Sequence, residues 1–222
     1  MRDTAVLHRV KDGYTIGARS LASRSIVGLA RTRVTPNALT AAGVTLCLVA
    51  SVLVFFENRG TWLFYWAGAA TFVVGSILDI LDGALARAGG KSTPFGAFLD
   101  STTDRIGEGA MLAAIALIFS RHGHPVALAV TFAAVAGSFL VSYARARAEA
   151  LGLRGDVGIG SRAERVVVIT GGLVLAPLSI WLLVAAISLL AAAAWLTVLQ
   201  RILHVRKQLR SFGGSTNGSD QR

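Results

Sequence analysis

The chain has 222 residues, 54% of them hydrophobic and only 15% charged, with a mean hydropathy of +0.61. This composition excludes an ordinary pair of soluble domains and favours one all-α domain embedded in a membrane. A formal net charge of +10 comes without an aromatic-rich basic ribbon or a groove-reading module, so nucleic acid is not an expected partner.

Residues 1–35 mix Val6, Leu7, Val10, Ile16, Leu21, Ile26 and Leu29 with Arg9, Lys11, Arg19, Arg24 and Arg31. That mixture suits a basic amphipathic helix lying on an anionic membrane surface, a juxtamembrane segment ahead of the spans. It contains no uninterrupted apolar stretch followed by a small-residue cleavage site, so no removed signal peptide is expected and the first span itself acts as the membrane signal.

Pro36 suits a helix start, and the mostly apolar run from Ala38 to Phe56 is long enough for a first span. Cys47, the single cysteine, lies inside it as a small apolar residue, which excludes an internal disulfide and a cysteine-rich zinc site. Further spans are predicted over 62–80, 97–120, 125–143, 166–176 and 178–199, making six transmembrane helices within residues 36–205. The stretches "ENRG", "AGGKSTPFG" and "RHGH" supply turns between them. The last two spans flank Pro177 and are rich in small residues that permit close helix packing. Residues 206–222, ending in "SFGGSTNGSDQR", read as a polar, disordered cytoplasmic tail.

The distribution of lysine and arginine tests this arrangement. Seven precede the first span, two lie between the second and third, five between the fourth and fifth, and five follow Leu199. Only Arg59 and Arg121 fall on the other side, and Arg105 lies near the inner end of the third span. The positive-inside rule then places both termini and the 79–104 connection in the cytoplasm of a plasma-membrane protein.

That connection, "DILDGALARAGGKSTPFGAFLDSTTD", sets Asp79 and Asp82 three residues apart and Asp100 and Asp104 four apart, so each pair shares one helix face. One aspartate at the bilayer centre costs about 2.5–3.5 kcal/mol on insertion scales, so the four need water or cations. Hard oxygen donors favour Mg²⁺ or Mn²⁺ over zinc, and two such ions would neutralise four carboxylates. His8, His122, His124 and His204 are scattered and form no metal set. The alternatives are helix caps and surface charges, with Asp104 paired to Arg105 and Glu108 also an ion-pair partner beside it, or a cation transporter with ion-binding aspartates.

The order Asp79, two residues, Asp82-Gly83, two residues, Ala86-Arg87, eight residues, Gly96, three residues, Asp100, three residues, Asp104 fixes eight identities over 26 positions. It resembles, without a missing position, the signature of the CDP-alcohol phosphotransferase family. The resemblance implies six transmembrane helices around a polar cavity open to the cytoplasm, and a homodimer. It implies that Asp79, Asp82, Asp100 and Asp104 hold two divalent ions, Mg²⁺ or Mn²⁺, with Asp104 also the general base. It further implies that Asn37, Thr40, Gly83, Arg87 and Thr93 contact a CDP-linked lipid such as CDP-diacylglycerol. Without it, Asn37 and Thr93 read as helix-start and turn residues, and Gly83 and Gly96 as sites of close packing.

The segments "SYARARAEALGLRGD" and "SRAER" are similar to the actinobacterial phosphatidylinositol phosphate synthases, a branch of that family. This similarity implies an inositol phosphate acceptor gripped by Arg145, Arg165 and Arg201, a task suited to paired guanidinium donors. Arg145 stands where that branch has lysine, and Arg147, Arg154 and Arg162 read as supporting charges. The implied reaction passes a phosphatidyl group from CDP-diacylglycerol to inositol phosphate and releases CMP. With another acceptor, the same chemistry would make a phosphatidylglycerol phosphate synthase or a cardiolipin synthase.

Overall fold

A computed structural model describes residues 35–90, 92–158 and 161–216, with side chains as far as Arg210. The amphipathic helix expected in residues 1–35 lies outside the described residues except for Thr35, as do His8 and residues 217–222.

Among the described residues the elements are all helical: α1 (Pro36–Phe55), a 3-10 turn (Glu57–Arg59), α2 (Thr61–Ala88), α3 (Pro94–Arg121), α4 (Pro125–Ala150), α5 (Arg162–Leu175) and α6 (Ile180–Thr216). Of these, α1, α2, α4 and α6 are long and apolar enough to cross a membrane, and the protein is a multi-pass membrane protein. The 14 residues of α5 extend only about 21 Å at 1.5 Å per residue, short of a hydrocarbon core of roughly 30 Å.

Local chemistry sets the helix starts. Pro36, Pro94 and Pro125 open α1, α3 and α4, where a missing N–H costs nothing. Thr35 and Thr93 cap the first two, accepting hydrogen bonds from the N–H groups of Ala38 at 3.2 Å and Gly96 at 3.0 Å. Ser161 and Glu164 form a reciprocal capping box before α5, with the Ser161 N–H donating to Glu164 at 2.6 Å.

Three helices outrun the apolar segments that reveal them. The α2 helix continues from Ile80 to Ala88, and α4 from Tyr143 to Ala150, because their polar extensions consist largely of good helix formers. At the end of α2 the chain turns through Gly89 and Gly90, and Gly90 takes the left-handed φ of +60°. Residues 206–216, read from sequence as a disordered tail, continue α6 as helix.

Contacts divide the described residues into two units, one combining residues 35–46 with Val74–Ile106, the other combining Cys47–Val73 with the described residues from Gly107 onward. In the first unit, a Cβ added at Gly43 of α1 would sit 3.0 Å from the Gly75 carbonyl oxygen and 3.6 Å from the Asp79 Cβ. Glycine therefore lets α1 close onto the part of α2 that carries Asp79.

The second unit holds an apolar core that includes Cys47, Tyr65, Met111, Phe119, Ile169 and Leu183. Here α4 and α5 both pack on α6. Small residues make these contacts close, since Cβ atoms added at Gly137 and Gly172 would lie 2.9 Å and 2.7 Å from those of Ala194 and Ala186. Leu63, Val126, Phe132 and Leu189 are exposed, as apolar side chains facing lipid should be. Trp62, Trp66 and Trp181, near the starts of α2 and α6, suit the membrane interface.

One polar cluster ties the α1–α2 turn to the end of α3. Glu57, only 3% exposed, receives the Arg121 guanidinium at 3.2 Å and faces His122 Nε2 at the same distance. Arg121 also donates to the Phe55 carbonyl at 3.0 Å and lies 4.8 Å from the centre of the Phe55 ring. Glu57→Ala is predicted to cost about 1–3 kcal/mol by stripping the Arg121 guanidinium of its carboxylate acceptor, read as a lowered Tm in detergent. Glu57→Gln, which keeps an acceptor, should lower it less; an unchanged Tm for the alanine variant would remove the cluster as a stabilising element.

Candidate active site

The first unit gathers the acidic residues. Asp79 and Asp82 project from α2 and Asp100 from α3, and each offers a carboxylate oxygen within 4.8 Å of the others. Asp79 and Asp82 are buried, and Asp100 is partly exposed. Three carboxylates held so close repel one another, and a shared proton or a cation among them relieves that repulsion.

Asp82 shows how the cluster is held. Its Oδ2 takes a hydrogen bond from the Thr40 hydroxyl of α1, while its Oδ1 is buried without a hydrogen bond. The Thr40 oxygen also lies 3.1 Å from the Pro36 carbonyl; its one proton can serve either acceptor, and the carboxylate is the stronger. A buried carboxylate oxygen with no donor, within an all-oxygen set, fits a hard divalent cation.

Beside the aspartates lies a cavity of about 140 Å³ whose lining includes Asn37, Thr40, Asp82, Gly83, Arg87, Thr93 and Asp100. All five residues expected to contact a CDP-linked lipid thus border one space. It is smaller than the roughly 300–1,000 Å³ that encloses a drug-sized ligand, so it can seat a phosphate or part of a nucleotide while the remainder extends outside.

Glycines shape the cavity walls. A Cβ added at Gly83 would approach the Arg87 guanidinium to 3.3 Å, and one at Gly96 would lie 3.1 Å from the Thr93 hydroxyl and 3.7 Å from the Asn37 side-chain oxygen. Thr93 uses an oxygen lone pair to cap α3, and its hydroxyl proton remains able to donate to a ligand.

Asp104 follows Asp100 by one turn of α3 but is not in the set of three whose oxygens lie within 4.8 Å. Its Oδ2 is 3.5 Å from Arg105 Nη1, the pairing that the caps-and-surface-charges alternative describes.

The second unit contains the three arginines read as acceptor ligands, each engaged internally. Arg145 pairs with Glu149 at 2.8 Å, one turn along α4. Arg165 Nε lies 2.9 Å from Glu108 Oε1, with both side chains about nine-tenths buried. Arg201 donates to the carbonyls of Val141 and Val157, the latter at 2.9 Å. Arg145 and Arg165 both act electrostatically on Arg201, so the three share a neighbourhood.

Glu108 is the residue whose role differs from the sequence reading: Arg105, three positions away on the same helix, is the local candidate, yet the observed pair is with Arg165. No periodic signal joins residues 57 positions apart, so only the tertiary structure reveals it. In the loop before α5, Arg154 pairs with Asp156 at 3.3 Å and holds that carboxyl below its usual pKa. The Gln208 amide brackets the Arg154 backbone, donating to its carbonyl at 2.8 Å and accepting from its N–H at 3.0 Å.

Known proteins resemble this chain over most of its length. An archaetidylinositol phosphate synthase of Pyrococcus horikoshii is 39% identical over 182 residues, covering 82% of this chain and 88% of that one. A phosphatidylinositol phosphate synthase of Mycolicibacterium smegmatis is 37% identical over 182 residues, 79% of each. The structure is similar to that of Mycobacterium tuberculosis phosphatidylinositol phosphate synthase with CDP-DAG bound, with a TM-score of 0.74 and 32% identity over 84% of this chain and 94% of that one. The same enzyme in complex with manganese and citrate gives a TM-score of 0.73 at 33% identity, over 83% and 88% of the two chains. Residues 33–205 match the family model described as CDP-alcohol phosphatidyltransferase, and the protein belongs to that family.

Proposed function

We propose that the protein transfers a phosphatidyl group from CDP-diacylglycerol to inositol phosphate, giving phosphatidylinositol phosphate and CMP. The observation that carries this reading is the meeting of Asp79, Asp82 and Asp100 beside the cavity bordered by Asn37, Thr40, Gly83, Arg87 and Thr93. The names of the M. smegmatis and P. horikoshii relatives agree in inositol phosphate and differ in the lipid part, which favours this acceptor over glycerol phosphate or phosphatidylglycerol.

In this reading Asp79, Asp82, Asp100 and Asp104 hold two divalent cations, Mg²⁺ or Mn²⁺. When bound, the cations neutralise the diphosphate and stabilise the charge on departing CMP. Thr93, Asn37 and Arg87 orient the nucleotide end of the donor, and the bare backbone at Gly83 admits it. Asp104 takes the proton from the acceptor hydroxyl, whose oxygen forms a bond to the lipid-bearing phosphorus as the bond from that phosphorus to CMP breaks. Arg145, Arg165 and Arg201 hold the acceptor's phosphate, keeping the hydroxyl oriented for attack.

The proposed architecture has residues 36–205 as a catalytic domain of six transmembrane helices, the shortest, α5, completing its crossing through the turn at residues 176–179. An interfacial amphipathic helix precedes it, the site and both termini face the cytoplasm, and two copies form a homodimer. Support comes from the distribution of basic residues, the run of the family match over residues 33–205, and the family resemblance.

Purified protein should release CMP from CDP-diacylglycerol when given Mg²⁺ or Mn²⁺ and inositol phosphate, and mass spectrometry should identify phosphatidylinositol phosphate as the lipid product. Chelation should abolish turnover and restored metal recover it. CMP release with glycerol phosphate alone would reassign the acceptor; no CMP with any acceptor would remove the transferase reading.

Asp104→Asn is expected to lower kcat by about 100-fold or more while Tm is retained. Near-normal turnover would exclude Asp104 as the base. Arg165→Gln should raise the KM for inositol phosphate about tenfold or more, the scale of a lost charge-assisted hydrogen bond, and an unchanged KM would count against its assignment.

A further inference from the structure

The cytoplasmic side predicted for the ends of α4 and α6 carries a second opening, of whose lining only Arg201 has a part in the proposed reaction. It is a groove of about 620 Å³ in the second unit. Leu140 and Leu151 line it from the α4 side, and Val198, Ile202 and Leu209 from α6. Their spacings of 11 residues on one side, and of four and seven on the other, place each set along one helix face. Leu140, Leu151, Ile202 and Leu209 are exposed, so the rest of the described chain does not cover them.

The charged lining is all of one sign. Arg147, Arg201, Arg206 and Arg210 contribute to the groove, and no acidic residue does. The Arg201 guanidinium is taken up by the Val141 and Val157 carbonyls. Arg147, Arg206 and Arg210 are exposed and have no hydrogen bond or ion pair among the described residues. Arg206 and Arg210, one turn apart, form a cationic edge beside the apolar floor.

An occupant must therefore be apolar along its length and anionic at one end. Residues 1–34 carry seven lysines and arginines against Asp3 and Asp12, so they would bring like charge to like. Residues 211–222 have one large apolar side chain, Phe212, and one acid, Asp220, too little to fill the floor or neutralise the edge. A second copy seated by two-fold symmetry would present the same arginines to one another. A zwitterionic lipid supplies the chains but adds its own cation.

The geometry points to a resident anionic phospholipid in this groove, its phosphate among Arg147, Arg206 and Arg210 and an acyl chain along Leu140, Val198 and Ile202. Basic pockets between membrane helices take such headgroups for this reason. The inference does not depend on the identity of the acceptor, and none of the three phosphate-facing arginines belongs to the proposed catalytic set.

Native mass spectrometry of the full-length protein in detergent, titrated with phosphatidylglycerol or phosphatidylcholine of identical chains, tests it. The parent protein should prefer phosphatidylglycerol. Arg206→Gln with Arg210→Gln should weaken that binding about 25-fold, from about fivefold for each arginine lost, and leave phosphatidylcholine unchanged, while the double lysine variant retains the preference. Equal binding of the two lipids by the parent, or a preference retained in the double glutamine variant, would overturn the proposal. Should the glutamine variant fail to fold, a photo-crosslinking residue at position 209, activated in phosphatidylglycerol vesicles, gives an independent answer. An adduct on the lipid supports the site; an adduct on residues 1–34 or on a second copy overturns it.

Discussion

Mutual repulsion among three aspartates in a chain dominated by apolar side chains is the constraint on which the first unit turns. Asp79, Asp82 and Asp100 lie within 4.8 Å of one another at positions where two of them are buried. Such an arrangement is tolerable only if something positive is shared among them. Close approach at Gly43, the capping of α1 and α3 by threonines, and the hydroxyl of Thr40 all serve to hold these carboxylates where a cation can join them. The family match and the manganese complex of the M. tuberculosis relative agree with that physical demand.

The second unit solves the opposite problem. Arg145, Arg165 and Arg201 are gathered without an excess of negative side chains, and each has its own acceptor, in Glu149, in Glu108 or in backbone carbonyls. A ligand that reaches them must exchange with these partners rather than meet bare guanidinium groups. Burial makes the Arg165–Glu108 pair the most consequential, because removing one member leaves the other charged in a poorly hydrated place.

How much of this is legible in sequence depends on whether the signal is local. The aspartate spacings of three and four are helical periods, and Pro36 and Pro94 mark helix starts by their own stereochemistry, so Asp79, Asp82 and Asp100 with their supporting elements can be read along the chain, whereas the same spacing also offers Asp104, which stands outside the observed set. Helix ends are harder to read: the apolar run of α2 fades at Ile80, yet helical hydrogen bonding continues to Ala88 and carries Asp82 and Arg87 with it. The same distinction between hydropathy and helicity explains why residues 206–216 prolong α6. The Glu108–Arg165 pair is illegible for another reason, since a nearer arginine satisfies every local rule and only packing selects the distant one.

The Thr40 hydroxyl has one proton and two acceptors, Asp82 and the Pro36 carbonyl. A cation bound by Asp82 draws on the electron density that now holds this proton, which strengthens the claim of the carbonyl one turn earlier. Occupancy of the acidic cluster would then be felt as a change of hydrogen-bond partner in the first turn of α1. Hydroxyl orientation at a single threonine would thereby link the charge at Asp82 to the first turn of α1, the turn that carries Asn37.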